Sequence, residues 1–216
     1  MSLVQRARQF LRVIDGAIEQ ASTAEGGGLV CGVGCTSCCF GPFAITQLDA
    51  WRLRQGLDEL GSHDAAGAAA VRRRARAATR NQADAFPTGC VGTFETEAEE
   101  ERFYQAFASA PCPALHPESG VCVLYRWRPV VCRTHGPPIR DGGDDIPHCP
   151  LCFTDASPNE IEAARMVIDV DASERSLIDV AERDTGRRDM TTVAFAIADG
   201  PATQHESGRV KQSRFY

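Results

Sequence analysis

Four thiols fall within nine residues in Cys31-Gly-Val-Gly-Cys35-Thr-Ser-Cys38-Cys39, and six more follow at Cys90, Cys112, Cys122, Cys132, Cys149 and Cys152. Core packing does not require thiols at that density. Thiolates so spaced ligate zinc or iron–sulfur, or else they pair as disulfides. A thiolate must come within about 2.3 Å of its metal, and short loops between ligands fix that geometry at little entropic cost. Cys35-x2-Cys38 and Cys149-x2-Cys152 have the spacing of a two-ligand knuckle, and Cys31-x3-Cys35 lies within the range of zinc pairs. Two C-x2-C pairs suffice for one tetrahedral ion. The further thiols of the two stretches therefore imply a second metal or a polynuclear cluster. Cys38 and Cys39 are adjacent, and neighbouring side chains tend to diverge. The expectation is that one ligates while the other is buried, or that they face separate metals or separate corners of a cluster. Cys90 stands apart and reads as a small buried hydrophobe. The ligand set expected from the sequence is Cys31, Cys35, Cys38, Cys39, Cys112, Cys122, Cys132, Cys149 and Cys152. His135 and His148, beside Cys132 and Cys149, are secondary candidates, and His116 reads as a loop residue.

The compartment decides between metal and disulfide. Ten cysteines in 216 residues fall below the density of a small secreted disulfide scaffold. The first helix carries Arg6, Arg8, Arg12, Asp15 and Glu19 among its apolar residues, so no secretory h-region is present there. No stretch has the uncharged length of a membrane span. A cytoplasmic protein with reduced thiols is expected, which favours metal. The net charge of −6 argues against general nucleic-acid binding. Arg72-Arg73-Arg74-Ala-Arg76 and Arg80 are the local exception, and helical spacing spreads them around a solvated face.

These thiols need elements to position them. Leu3, Ala7, Phe10, Ile14, Ala17, Ile18 and Ala21 make one apolar stripe and predict a helix over 3–21, ended by Glu25-Gly-Gly-Gly28. Phe40 to Ile45 should be extended, and Thr46-Gln-Leu-Asp49 opens a helix with Leu48, Trp51 and Leu57 inward. An Ala-rich helix is predicted over 64–85, and another begins near Thr96 with Phe103, Tyr104 and Phe107 on its buried side. From Cys112 to Cys152 prolines permit only short elements, with a strand at Val121-Cys-Val-Leu-Tyr125 and a helical turn from Pro129. A helix starting at Pro158 is expected to bury Ile161, Ala164 and Met166. Two more are predicted over 173–185 and 191–198, before a polar tail from Asp199 to Tyr216. The fold class is thus mainly α: a helical single domain over 1–198 with a flexible tail over 199–216. Its metal site is cysteine-rich and loop-dominated, in segments near 30–46 and 112–152, with at most a short β element.

The cysteine pattern resembles the bacterial YkgJ-type cysteine-cluster family, described as zinc- or iron-chelating domains and known by a C-x2-C-x2-C-C motif. The matching residues are Cys31, Cys35, Cys38 and Cys39, then Phe43-Ala-Ile-Thr46 and Ala50. Cys112-Pro113, Gly120-Val-Cys122-Val-Leu-Tyr125 and Arg128-Pro-Val-Val-Cys132-Arg133 match the family's second block, and Cys149 resembles its late cysteine. The first gap is three residues here rather than two, and Ala114 stands where an aromatic commonly follows Cys-Pro. The resemblance implies metal chelation, and some related proteins are iron–sulfur oxidoreductases.

Two functions compete. In the first, the thiols hold iron, as an iron–sulfur cluster, and the chain passes electrons to a protein redox partner as an oxidoreductase component. In the second, zinc is a structural staple for an interaction module without catalytic activity. No Gly-rich nucleotide loop and no Ser/His/Asp arrangement supports an independent reaction. Arg126, Arg128 and Arg133 either offset the negative charge of a multi-thiolate site or pair with the acidic residues of 141–145. Tyr125 and Trp127 are expected to pack over the site and limit solvent.

Overall fold

The computed structural model describes residues 2–23, 28–141, 143–168 and 170–198, the side chains of 170–173 excepted. In chain order the helices are α1 (Leu3–Thr23), α2 (Gln47–His63), α3 (Ala65–Gln82), α4 (Glu97–Ala106), α5 (Val130–Thr134), α6 (Pro158–Ala163), α7 (Val170–Thr185) and α8 (Val193–Ile197). The strands are β1 (Ala44–Ile45), β2 (Ile139–Asp141), β3 (Asp144–Ile146), β4 (Met166–Ile168) and β5 (Thr191–Thr192). The protein is mainly α-helical, as expected. The extent of β structure exceeds the single short element anticipated: β1 pairs with β5, and β3, β2 and β4 form a three-stranded sheet. No helix among the described residues is long and apolar enough to cross a membrane. Most of the turn expected at Glu25–Gly28 and the whole tail of 199–216 lie outside the described residues.

The chain gathers into two compact units. Among the described residues, one comprises those through Cys35 together with those of 130–180, and the other comprises Thr36–Pro129 with 181–198. The boundary falls inside the first cysteine motif.

In the first unit, α1 buries Ala7, Ile14 and Ala21 from its predicted stripe. Phe10, Ala17 and Ile18 pack with Ile139, Met166 and Ile168. Strand β2 is central, antiparallel to β3 with Ile139 opposite Ile146, and parallel to β4 with Ile139 opposite Met166. Met166 is therefore a strand residue and not part of the helix begun at Pro158. That helix opens with a full capping box, Ser157 and Glu160 satisfying each other's backbone, but stops at Ala163. The β-branched pair Val167 and Ile168 then finds a better partner in β2. Arg133, only 7% exposed, docks its guanidinium on Asp15 of α1.

In the second unit, Thr46 caps α2 by accepting the Asp49 N–H at 3.2 Å. Asp64 ends α2 and caps α3 through the Gly67 N–H at 2.8 Å. Leu53 and Leu57 of α2 meet Ala68, Val71 and Ala75 of α3 and Val193, Ala196 and Ile197 of α8 in one core. The small faces of α3 let the helices approach closely. A second core is aromatic. Phe86 stacks on Phe94 at 5.0 Å and meets Phe103 at 4.8 Å and Phe195 edge-on at 5.0 Å. Beneath α2, Asp49 and Arg52 form an ion pair of 3.0 Å with both side chains 2% exposed. Removing one partner leaves the other charge short of this ion pair where water does not reach it. Asp49→Ala should cost about 3–5 kcal/mol in denaturant unfolding, whereas a surface pair would cost under about 1 kcal/mol.

One expectation in the proline-rich stretch is corrected. Val121–Tyr125 is not a strand: Cys122 makes a single antiparallel bridge with Leu115, and Tyr125–Trp127 winds into a 3-10 turn. With Gly120 at φ +65 before it and Pro129 after, the segment is too short and too bent to extend a ladder. Trp127 packs on the same core as Cys112 and Cys122. It fills a notch at Gly56 of α2, where a Cβ would fall 2.3 Å from the indole Cγ.

Candidate metal centre

All ten cysteines are thiols rather than half-cystines. They divide by unit. Cys38, Cys39, Cys90, Cys112 and Cys122 belong to the second unit, and Cys31, Cys35, Cys132, Cys149 and Cys152 to the first.

In the second unit, Ser37–Cys39 is a single 3-10 turn. Successive side chains on such a turn stand about 120° apart rather than on opposite faces. The thiols of Cys38 and Cys39 on this turn interact with each other, and both Cys112 and Cys122 act electrostatically on Cys39. The backbone holds the second pair against the first. The Cys112 N–H donates to the Cys39 carbonyl at 2.8 Å, Phe40 bridges Pro111, and the Gly41 N–H donates to Ala110 at 2.8 Å. Gly41 has φ +80 and sits where a Cβ would press within 3.2 Å of the Ala108 carbonyl oxygen, so this joint requires glycine. The bridge between Leu115 and Cys122 then brings the fourth thiol back beside Cys112.

Backbone donors are aimed at these sulfurs. The Leu115 N–H donates to the Cys112 carbonyl at 3.0 Å, and the backbone N–H groups of Ala114 and Leu115 near the Cys112 sulfur, and of Leu124 near the Cys122 sulfur, lower those thiol values. Donors two and three residues after a cysteine favour its thiolate, the form that binds metal. Burial opposes them. It pushes Cys112 up to about 12 and raises Cys122. Cys39 is raised far above the ordinary thiol range, first by its hydrogen bond with Cys38 and then by burial and the neighbouring thiolates. Three thiols that resist ionisation, Cys39, Cys112 and Cys122, are what a divalent cation would stabilise as thiolates.

Two cations face the group. Arg128 lies over the Tyr125 ring at 3.9 Å and lowers the thiol value of Cys122. Arg74 of α3 anchors its Nε on the Pro113 carbonyl at 2.8 Å, and the charge of Cys112 favours its cationic form while burial disfavours it. The sequence reading missed Arg74 by assigning the whole arginine run to solvent. Its signal lies in helical register: it follows Val71 by three residues and precedes Ala78 by four, and Val71 is buried. The other arginines do different work. Arg72 pairs with Asp58 at 3.1 Å, Arg126 pairs with Glu59 at 3.7 Å, and Arg133 holds Asp15. Asp145 pairs instead with Arg140 at 2.8 Å and Arg165 at 3.5 Å.

In the first unit, Cys149 and Cys152 are buried with Phe153 and Ala164, and Leu29 and Cys31 pack against them. A tight turn closes the pair, the Cys152 N–H donating to Cys149 at 2.8 Å. Burial raises the Cys152 thiol, the nearby backbone N–H groups of Val30 and Cys31 lower it, and the charges of Cys149 and Cys35 raise it further. Cys132 stands on α5 in the same unit, half-buried. His148 meets the Phe153 ring edge-on at 5.4 Å, and His116 closes a loop turn by accepting the Ser119 N–H at 3.3 Å.

Cys90 matches its expected role as a buried thiol. Its Sγ donates to Asp189 at 3.6 Å, and burial followed by that carboxylate pushes it up to about 11. Cys90→Ala should leave the metal content of the chain unchanged, measured by elemental analysis of the purified protein.

Among the described residues, no three Cys, His, Asp or Glu side chains already stand around one point as a ligand shell would. Cys39, Cys112 and Cys122 favour their protonated forms, so binding would exchange thiol protons for metal–sulfur bonds and turn the side chains inward. The donor set itself fits a thiophilic ion or an iron–sulfur cluster: four soft sulfurs, backbone N–H donors and two nearby guanidinium groups. Comparison with protein families, with curated proteins and with solved structures finds no match to this chain, so the likeness to the cysteine-cluster family rests on its motif.

Proposed function

We propose that this protein chelates metal through clustered cysteine thiolates, with Cys38, Cys39, Cys112 and Cys122 as the principal centre, and that iron held as an iron–sulfur cluster gives it an electron-transfer role. The electrostatic influence of Cys38, Cys112 and Cys122 on Cys39, across two distant segments that the Cys112–Cys39 backbone bond joins, with Arg74 and Arg128 nearby, supports this reading. Four thiolates around a divalent ion or a dicationic cluster leave a charge of roughly −2, which two guanidinium groups offset. Such nearby charge sets the potential of a cluster, and the cluster would supply one-electron chemistry to a protein redox partner.

The structural-zinc reading keeps one observation of its own. The segment from Pro111 to Tyr125 has turns and one bridge in place of regular elements, so a metal would order it. Metal and acid-labile sulfide content, with a visible spectrum of anaerobically purified protein, separates the two. Iron with sulfide and broad absorption near ~400 nm supports electron transfer. Colourless protein holding zinc without sulfide makes the centre a staple, and protein holding neither metal contradicts chelation.

A further inference from the structure

The second unit holds a cleft that thiol chemistry does not use. It lies among the end of α3, the start of α8 and the loop at Pro111, and it spans about 350 Å³ including its open mouth. Phe43, Ala78 and Pro111 give it apolar walls, and Cys112 forms part of one side. No Asp, Glu, Lys, Arg or His is among its lining residues. Two polar side chains do line it, Gln82 and Thr192, and they are only 3% and 1% exposed. Among the described residues, neither the Gln82 Oε1 nor the Thr192 Oγ1 has a hydrogen-bond partner. Thr192 is the more telling of the two. It stands at the N-cap of α8 with an extended backbone, where a threonine hydroxyl ordinarily accepts a backbone N–H, yet its side chain caps nothing. Gln82 follows Ala78 by four residues on α3, so the helix carries both to one face. A buried oxygen without a partner costs stability that an apolar side chain of similar size would not.

We infer that this cleft binds a small, uncharged molecule of the primary-amide class, one that carries hydrogen-bond donor and acceptor in a single group. The inference goes beyond chelation and does not depend on it, although Cys112 would set the occupant beside the proposed centre. The unpaired groups select the class. The Gln82 Oε1 accepts only, so its partner must supply an N–H or O–H. Turned by half a rotation, the same side chain would present its NH2 group instead, and a partner amide answers either orientation. The Thr192 hydroxyl can donate, which suits the carbonyl of the same ligand. A charged molecule would lose its hydration against walls that hold no ionised side chain to replace it. Mostly apolar walls with a few polar groups are the usual composition of a small-molecule site. Binding needs no covalent step. The terminal torsion of glutamine is soft, so the Gln82 amide would swing onto the occupant at little cost.

The test titrates the full chain, as purified, with acetamide, acetone and acetate, and follows each ligand's methyl signal by magnetic resonance. The three share one shape, but acetone lacks the N–H donors and acetate adds a charge. Acetamide should bind saturably, and the other two at least about 5-fold more weakly. Gln82→Leu and Thr192→Val keep side-chain size while removing the unpaired oxygens. Each should weaken acetamide binding at least about 5-fold, yet unfold at a denaturant concentration no lower than wild type, because the free protein loses an unpaired buried group. Absence of saturable acetamide binding overturns the inference on wild type alone. Acetone or acetate binding as tightly as acetamide, or variants that bind acetamide as wild type does, reduce the cleft to an apolar dent and overturn it too. Variants that are destabilised or fail to fold do the same, since these oxygens would then have structural partners such as buried water. None of these results bears on metal content, so chelation stands or falls separately.

Discussion

Cys112→Ser should weaken metal retention by the proposed centre more than about 100-fold, because even partners that merely orient a ligand typically cost 10–100-fold when removed. The reason for choosing Cys112 is structural. Its N–H holds Cys39, its thiol value is lowered by the backbone of Ala114 and Leu115 against its burial, and its charge reaches Arg74. Serine keeps the size and the backbone bonds but supplies a hard oxygen that a soft ion disfavours. Competition against a chelator measures the effect. Arg74→Ala should weaken retention by about 10–100-fold in the same assay with all four sulfurs intact, since it removes charge compensation and not a ligand. Cys112→Ser with unchanged metal content would remove this thiol from the centre.

Protons should compete with metal, and the direction follows from the thiols. In metal-free protein the folded value of Cys112 lies at about 12, above the ordinary 9.0. A raised acid favours the folded state while it stays protonated. Its contribution is full below about 9 and is lost as pH climbs toward about 12, so metal-free protein should unfold more readily across that window. Metal-loaded protein should behave in the opposite sense. The ligands bind as thiolates, so acid releases the ion, and affinity can rise by up to about four decades per pH unit if four protons leave together. Chelator competition between pH 6 and 8, with thermal unfolding of metal-free protein between pH 8 and 11, checks both directions. Metal affinity that does not change with pH would mean that protonated thiols are not the ligands.

Much of the helical frame was legible because its signals are local. The stripe of α1, the caps at Thr46 and Thr96, and the capping box at Ser157 each depend on residues within one or two turns. The three-stranded sheet was not, since β2 and β4 are joined only by pairing across more than twenty residues of chain. Met166 could therefore be read as one more apolar residue of a helix. The cysteines show the same limit more sharply. Spacing alone joins Cys35 to Cys38 as a knuckle, yet the two fall in different units. Adjacency alone suggests that Cys38 and Cys39 diverge, whereas a 3-10 turn brings their sulfurs into contact. Which thiols belong together depends on backbone bonds such as Cys112 to Cys39 and Phe153 to Gly28, which no local pattern encodes. Arg74 was hidden for a related reason: a run of arginines reads as solvated until the carbonyl that fixes one of them is known.

The most direct test of thiolate chelation is the intact mass of the full chain under native conditions, beside its mass after denaturation in acid. The account predicts a native mass above that of the polypeptide by bound zinc, iron or an iron–sulfur cluster, less the protons displaced. Acid denaturation should return the mass of the chain with all ten cysteines as thiols. A native mass equal to that of the polypeptide, or lower by two hydrogens for each disulfide, would contradict it.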